Sequence, residues 1–338
     1  MQRSLPWAVV ITAVVRLAAE DSALLGPVSN VWLENDLVVM TDQHYTHGSR
    51  FSHTFAEQAH VVADSRWDGR LASSLPEFGL RPVAWRGSLS LTQNIYTPVD
   101  TAATGLMPDD RPYAGWLYGT GSILRRGTTR SGTPLLDTWT LQAGVVGPAA
   151  LGEQAQNGVH RMRSLPLARG WANQLSNEPD VAIGYSRAAR FTAPLSDTFR
   201  GEFIPHAGAR LGTVQTFASI GAQWRIGFRP PEDFGWRSID EVIPASGGRP
   251  MDGSGPRGFH LFFGVEGRLF GHNMLLQGNL FHESHHVDMQ PFVGEVTVGA
   301  VYSGKRWDIA YTHQVRSNEF QDQGDVDSFG SFSVAYKW

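Results

Sequence analysis

The feature of this sequence that most constrains its fold is a repeated alternation of apolar and polar residues. Beyond its N-terminal region the chain divides into segments of about ten residues with this period of two, separated by Gly, Pro, Asp and Asn. We predict about twelve antiparallel strands from this pattern: 28–40, 48–58, 84–97, 113–125, 135–147, 177–190, 202–213, 218–229, 258–270, 291–303, 306–316 and 328–338. An even number of strands returns both termini to the same side of the sheet. The segment 274–282 would break this parity, so we assign it to a loop.

The last segment shows the alternation most clearly. Large apolar residues occupy every second position, and small or polar residues lie between them: Phe332, Val334, Tyr336 and Trp338 against Ser331, Ser333, Ala335 and Lys337. Such a strand presents one face to lipid and the other to a polar lumen. Five aromatic residues of the predicted strands suit girdles at the membrane interfaces or, equally, ordinary strand packing: Trp116, Tyr118, Trp307, Tyr311 and Trp338.

The N-terminus is typical of a secretory signal peptide. Arg3 precedes the apolar run 5–15, and the small residues Ala18 and Ala19 follow. We therefore predict a signal peptide over 1–19 and one domain over 20–338. No later stretch reaches the ~18 apolar residues of a spanning helix. Only helices and closed barrels satisfy every backbone group in lipid. The sequence thus predicts an all-β transmembrane barrel of the bacterial outer membrane.

Composition narrows the possible functions. The formal net charge of −4 provides no basic field, so we expect no nucleic acid partner. The chain has no Cys, which excludes disulfides and thiolate chemistry. A closed barrel has no edge strand that demands a partner, so we expect a monomer.

One connection departs from the alternating pattern. The stretch 148–177 contains several helix formers and no alternation, and we predict a short helix in this loop on the outer-surface side. Gln156 and His160 are four residues apart, so a helix places them on one face. Loops of this length in compact domains are often functional.

A second irregularity interrupts the first predicted strand. Glu34, Asn35 and Asp36 form a polar run between apolar residues. Alternation places Asn35 on the lipid face and Asp36 inward, unless a bulge redirects it. A polar group on the lipid face has two possible explanations. It contacts the headgroup of a lipid substrate, or it lies close to the membrane interface, where the free-energy cost of exposing a polar side chain to lipid is small.

These motifs together resemble those of the outer-membrane lipid A 3′-O-deacylases. The resemblance covers most of the chain and rests on the order of several linked segments: 34–36, 41–42 with 45–48, 93–98, 110–116, 147–148 with 156–160, 170–171, and 174 with 177–179. It implies a twelve-stranded barrel that acts on lipopolysaccharide. The implied reaction is hydrolysis of the ester that holds the 3′ acyloxyacyl chain of lipid A, with Ca²⁺ required. The family's site lies between the barrel wall and the loop helix. The matching residues here are Asn35, Asp36, Thr46, Gln156 and His160.

The sequence departs from the family at two positions. The family can place a Lys shortly after its Tyr-x-Pro motif, where this chain has only Thr and Ala at 101–104. A Glu can follow the family His by six positions, where this chain has Pro166. The roles of those two side chains must therefore be absent or filled by other groups.

The chemistry of ester hydrolysis suggests a role for each matching residue. No G-x-S-x-G elbow occurs, so water is the simplest nucleophile. We predict that His160 is the general base, because imidazole titrates near neutrality. Gln156 would orient the water or the substrate, and Asn35 and Thr46 would position ligands or donate hydrogen bonds. Ca²⁺ prefers oxygen ligands such as Asp36, and it would polarise the ester carbonyl.

Three other interpretations compete with this one. The zinc-protease pattern H-E-x-x-H is matched by His282, Glu283 and His286. This pattern needs a helix, whereas the surrounding residues predict a loop, so we interpret the match as a chance one.

An outer-membrane phospholipase would need a Ser beside a His. Ser52 and His53 are the adjacent pair inside a predicted strand, yet adjacent strand residues point to opposite faces. The third interpretation is a non-enzymatic barrel or pore.

Overall fold

The computed structural model describes residues 24–35, 44–60, 67–235, 250–251, 255 and 257–338. The predicted signal peptide, Asp36 and the end of the first predicted strand lie outside these residues. Fourteen strands are described: β1 Val28–Asn35, β2 His44–Thr54, β3 Gln58–Ala59, β4 Arg81–Thr97, β5 Ala114–Thr128, β6 Pro134–Val146, β7 Glu178–Ala189, β8 Phe191–Pro194, β9 Phe199–Gly212, β10 Gln215–Phe228, β11 Gly258–Asn273, β12 Phe292–Ser303, β13 Trp307–Arg316 and β14 Asp327–Lys337. The helices are α1 Trp67–Ser74, α2 Gly152–Arg163 and α3 Met274–Gln277.

Twelve of these described strands close into one antiparallel barrel, as the alternation predicts. Each pairs with its neighbours along the chain, and pairing between β1 and β14 closes the cylinder. The short strands β3 and β8 add only to the margins of β4 and β9. The segment assigned to a loop forms α3 and an irregular stretch. Among the described helices, none is long and apolar enough to cross a membrane.

The outer face of the wall is apolar because alternate residues of each strand point away from the lumen. On β7, Val181 and Ile183 are about half exposed, while Asp180 and Ala182 between them are buried. On β14, Phe332 is exposed outward and Ser331 and Ser333 are buried, as predicted. In a closed sheet of this pattern, the backbone N–H and C=O groups form hydrogen bonds with neighbouring strands. The outward-facing aliphatic and aromatic side chains contact lipid.

The lumen is occupied by side chains rather than open. Charged pairs line it along its height: Arg316 with Glu295 beside the rings of Tyr45 and Phe329, Arg268 and His206 with Glu266, and Arg225 with Glu202 towards the end that carries Asp233. At the end that carries α2, a buried apolar cluster lies across the lumen: Trp32, Tyr45, Tyr96, Trp116, Tyr118, Met274, Leu275 and Phe329, among others. We call this set the aromatic plug. At the other end, Phe234 of the β10–β11 connection packs on Leu124, Leu136 and Ile204.

The aromatic plug decides between the two alternatives for Trp116 and Tyr118. Both are buried and belong to the plug, so they pack inside the barrel and are not part of a membrane girdle. Alternation alone does not say which of the two faces is lipid-facing when both are apolar near a strand end. Trp307, Tyr311 and Trp338 are exposed on the outer face, as the girdle alternative predicts.

Candidate active site

The predicted loop helix forms, and it lies against the outside of the barrel wall. Odd-numbered residues of β4 point outward, since Leu89 and Leu91 are exposed. Ile95 belongs to the same face, yet it is only 1% exposed. It is covered by Ala155 of α2, Trp171, Ala168 and Tyr113. The outward-facing Gln93 also donates to the Ala150 carbonyl at 2.7 Å. The helix therefore occupies a position between the wall and the surrounding lipid.

Two glycines make this close approach possible. A Cβ atom added to Gly115 of β5 would lie 3.0 Å from the Gly152 nitrogen and 3.1 Å from its Cα. A Cβ atom added to Gly152 would lie 3.0 Å from the Gly115 Cα and 2.7 Å from the Trp171 ring. Because the opposing atoms are mainly backbone, they cannot move aside as a flexible side chain would. Helix α2 therefore begins in direct backbone contact with the wall.

Asn35 and Thr46 lie on the same outer face, on the two strands preceding β4 in the sheet. Asn35 pairs with His47, His47 with Ile95, and Ile95 with Gly115, which forms one row across four strands. With strands about 4.8 Å apart, Asn35 lies about 10 Å from the Ile95 position covered by α2. Asn35 Nδ2 donates to the Thr46 carbonyl at 2.9 Å. The predicted outward orientation of Asn35 is confirmed.

A β-bulge places Thr46. The register between β2 and β4 shifts between Tyr45 and His47, so Thr46 is the extra residue. Its hydroxyl contacts the Thr97 hydroxyl at 2.7 Å, and the side chain is buried. The bulge allows Tyr45 to enter the lumen, where its hydroxyl donates to Glu34 at 2.8 Å.

Gln156 is held with its amide nitrogen free. The Trp171 indole N–H donates to Gln156 Oε1 at 2.9 Å, and because indole N–H is only a donor, this contact fixes the orientation of the amide. Gln156 Nε2 is buried and has no hydrogen-bond partner in the described part of the chain. The two N–H groups of Gln156 Nε2 are therefore oriented and available to donate hydrogen bonds to a bound molecule.

His160 is oriented by a backbone carbonyl. Its Nδ1–H donates to the Pro166 carbonyl at 2.5 Å. In the neutral ring this bond fixes the tautomer, so Nε2 carries the lone pair. Gln156 and His160 are both buried on the inner side of α2, as their spacing predicts, while Arg161 and Met162 are exposed. Where the family can have a Glu, this chain has Pro166, and the main-chain carbonyl of Pro166 accepts the hydrogen bond from the His160 ring.

The segment that provides this carbonyl is fixed by Asn157. Asn157 Nδ2 donates to the Ala168 carbonyl at 3.0 Å, and the Ala168 N–H donates back to Asn157 Oδ1 at 2.9 Å. The helix ends at Arg163, and the next residue, Ser164, caps it in a left-handed conformation with φ 56°. Sequence reasoning did not assign roles to Asn157, Trp171 or Thr97, although all three lie within the motifs that carried the resemblance.

The segment without a Lys at 101–104 lies beside the α2 loop. The Arg169 N–H donates to the Thr101 carbonyl at 2.9 Å, and Asn173 Nδ2 donates to the Thr104 carbonyl at 3.0 Å. The Arg169 side chain is exposed. Arg169 therefore lies next to the segment 101–104, which contains no lysine in this chain.

The remaining candidate motifs have structural roles. Residues His282–His286 form a loop rather than a helix, and His285 Nε2 donates to the Asp110 carbonyl at 2.6 Å. Asp110 itself accepts from the Val99 N–H at 2.7 Å and orders its own loop. Within the described ranges, no three His, Asp or Glu side chains are grouped as metal ligands. The chance-match interpretation of H-E-x-x-H agrees with this arrangement.

Comparisons with known proteins agree with the closed barrel. The sequence model of the family described as outer membrane protein LpxR matches residues 5–338. The solved structure of LpxR from Salmonella typhimurium is 18% identical, with a TM-score of 0.69 over 92% of this chain and 100% of that one. The β domain of the Bordetella autotransporter BrkA is 10% identical, with a TM-score of 0.49 over 94% and 100%. The KdgM porin is 8% identical, with a TM-score of 0.37 over 92% and 99%.

No match is found among curated protein sequences. The family match covers nearly the whole chain, and the described strands form a closed barrel with an apolar outer face. The protein is therefore integral to the outer membrane. The chain belongs to the family of the outer membrane protein LpxR.

Proposed function

We propose that this protein is a Ca²⁺-dependent lipid A 3′-O-deacylase. The observation that carries the proposal is the pair formed by His160 and Gln156 on the inner side of α2. His160 offers an imidazole with its Nδ1–H bound to Pro166, and Gln156 offers an amide with unpaired N–H groups. Both lie between α2 and the outside of the barrel wall, on the side of the wall that faces lipid. These are the base and the donor that ester hydrolysis needs.

Each group has a defined step in the proposed reaction. His160 Nε2 accepts a proton from water while the water oxygen bonds to the ester carbonyl carbon. Gln156 Nε2 donates to the carbonyl oxygen as it gains negative charge. The bond to the sugar 3′ oxygen then breaks, and the imidazolium returns its proton to that oxygen. The products are the free acyloxyacyl acid and a sugar hydroxyl.

The donors near Asn35 fit a calcium ion in chemical type. The Asn35 amide, the Thr46 carbonyl and hydroxyl, and the carboxylate of Asp36 next in the chain are all oxygen donors, which Ca²⁺ prefers. We propose Asp36 as the metal ligand, with Asn35 and Thr46 holding the strand ends around it. Bound Ca²⁺ would polarise the ester carbonyl.

The exposed side of α2 and its loop suits an anionic lipid. Met162 is 80% exposed and Val159 is 40% exposed, which provides an apolar surface for acyl chains. Arg161, Arg163 and Arg169 are exposed, and none forms an ion pair with an acid in the described part of the chain. Their guanidinium groups match the geometry of phosphate, and Arg169 is our candidate for the role of the absent Lys.

Mass spectrometry of lipid A tests the proposal. The full-length chain would be expressed in a Gram-negative host, alongside His160→Ala and with calcium depleted in a third culture. We expect wild type to remove one acyloxyacyl unit and the other two to leave lipid A intact. Loss of a general base lowers the rate by about 10²–10⁴-fold. His286→Ala, which alters an exposed loop histidine, is the matched control and should retain activity.

A serine-type lipid hydrolase is the second candidate, because one pair of contacts favours it. His47 Nε2 lies 2.8 Å from the Ser49 hydroxyl, and both side chains follow the outward face of β2. This is the distance between a base and a nucleophile. Ser52 and His53 are on opposite faces, as predicted; His53 instead contacts Ser29 at 2.9 Å. Ser49→Ala would abolish hydrolysis under this candidate and would leave it intact if His160 activates water.

A further inference from the structure

A basic and aromatic cavity lies on the outside of the barrel at the end opposite α2. Its volume is about 520 Å³, and it is lined by Arg257, Tyr302, Gly304, Lys305, Arg306 and Trp307. These residues come from the start of β11 and from the β12–β13 turn. The chain termini emerge at this same end, since β1 begins and β14 ends there. The cavity is therefore separated from the candidate active site by the height of the barrel.

The residues of this cavity are layered along the membrane normal. Val298 and Ile309 on the same outer face are exposed and aliphatic, as expected for contact with acyl chains. Tyr302 and Trp307 follow at the ends of their strands and are 45% and 52% exposed. The cationic residues lie beyond these rings, in the turn. This order of aliphatic, aromatic and cationic groups matches the passage from hydrocarbon to headgroup in a bilayer.

The cations in the turn have no acidic partner in the described part of the chain. Arg306 donates only to the Tyr336 hydroxyl, at 3.4 Å, which is a neutral contact. The neighbouring acid, Asp308, instead accepts from the buried Lys337 Nζ at 2.7 Å. Arg257, Lys305 and Arg306 thus place three uncompensated positive charges around one concave surface. Such a surface attracts an anion, and its aromatic wall suits an amphiphile.

We propose that this cavity is a binding site for the headgroup of an anionic phospholipid in the leaflet opposite α2. Lys305 and Arg306 bind the phosphate, and Tyr302 and Trp307 pack against the glycerol backbone and the first methylenes of the tails. A lipid held there would fix the depth of the barrel in the membrane at this end, where none of the described helices packs against the outside of β12 and β13. The site does not depend on the proposed hydrolase activity.

Native mass spectrometry of the full-length protein in detergent tests this site. The protein would be titrated with phosphatidylglycerol and with phosphatidylcholine that carry the same tails. We expect wild type to retain phosphatidylglycerol preferentially, and the variant Lys305→Gln/Arg306→Gln to lose that preference by about fivefold for each cation removed. The matched control is Arg81→Gln/Arg130→Gln, which removes two exposed cations from the same end outside the cavity and should keep the preference.

Two results would overturn the proposal. One is an equal preference for phosphatidylglycerol in wild type and in the Lys305→Gln/Arg306→Gln variant. The other is complete displacement of the lipid by equimolar glycerol 3-phosphate, because this would show that a free phosphate group is recognised and the lipid tails contribute nothing. Retention that resists glycerol 3-phosphate and depends on the two cations supports the lipid site.

Discussion

The orientation of His160 depends on Asn157, a buried side chain whose hydrogen bonds go to the backbone of Ala168. Asn157 exchanges two hydrogen bonds with Ala168 and so fixes the segment that carries the Pro166 carbonyl. Asn157→Ala would leave two buried backbone groups unpaired, at a cost of about 1–3 kcal/mol each. We expect the turnover number to fall at least tenfold with little change in KM, because ring orientation rather than binding is lost. Steady-state kinetics on purified lipid A would measure both values.

A second asparagine in the same loop provides the control for that experiment. Asn173 Nδ2 donates to the Thr104 carbonyl at 3.0 Å, but it does not contact the segment around Pro166. Asn173→Ala should keep the turnover number within about twofold, since an exposed hydrogen bond contributes little. An equal loss of turnover in both variants would mean that the whole loop, rather than the His160 contact, determines activity.

At the residue scale, sequence reasoning predicted the shared helical face of Gln156 and His160 but not the contacts that these side chains make. The spacing of Gln156 and His160 predicted a shared helical face, because helical periodicity is a local property. The acceptor for His160 is a main-chain oxygen, and no side-chain motif encodes such a partner. Trp171 orients Gln156 across a loop of irregular conformation, which sequence patterns do not specify.

At the scale of elements, the contact between α2 and the wall depends on Gly115. A Cβ atom there would lie at 3.0–3.1 Å from backbone atoms of Gly152, so the helix must move away. We expect Gly115→Ala to lower activity strongly while the barrel still folds and inserts. Trypsin should then cleave faster after Arg161 and Arg163, and this rate can be followed by mass spectrometry.

Gly119 provides a matched control for Gly115, because it lies on the same strand and points to the same face. A Cβ atom at Gly119 would meet only the Ser90 and Ala143 carbonyl oxygens, at 3.7 and 4.0 Å, which is ordinary contact. Gly119→Ala should therefore leave both activity and trypsin cleavage unchanged. If Gly115→Ala behaved in the same way, the close approach of α2 to the wall would not matter for the reaction.

The segment that carries Phe234 gives the protein a pH-dependent element. Burial opposes ionisation of Asp233, but the charge and hydrogen bond of the Arg225 guanidinium and the Gly235 N–H outweigh it and hold the pKa of this carboxyl below its usual range. A carboxyl with a lowered folded-state pKa stabilises the fold above about pH 5, and this contribution is lost as the pH falls through the lowered pKa. We expect Asp233→Asn to reduce the melting temperature at pH 7, and the difference from wild type to shrink as the pH falls below about 4. A constant difference over this pH range would contradict this.

Strand positions were predictable because alternation along each strand records which face is buried. Predicted and observed bounds differ by a few residues, as between 84–97 and Arg81–Thr97 for β4. The bulge at Thr46 and the packing of Phe234 inside the lumen were not predicted. Both depend on contacts between residues far apart in sequence, which no local pattern records.

At the scale of the whole molecule, the two ends of the lumen are closed by different parts of the chain. The aromatic plug closes the α2 end, and Phe234 with its ion-paired segment closes the other. We therefore expect the purified protein to show no steady ion conductance in planar bilayers, unlike a passive pore. Phe234→Ala removes one closure only, and it should remain non-conducting because Trp116, Tyr96 and their neighbours still lie across the lumen.

Stable conductance steps from wild type would refute this closure and favour the pore interpretation. Conductance that appears only in Phe234→Ala would instead show that the aromatic plug does not seal its end. Current recordings on both proteins, each verified as folded by heat-modifiable electrophoretic mobility, separate these outcomes.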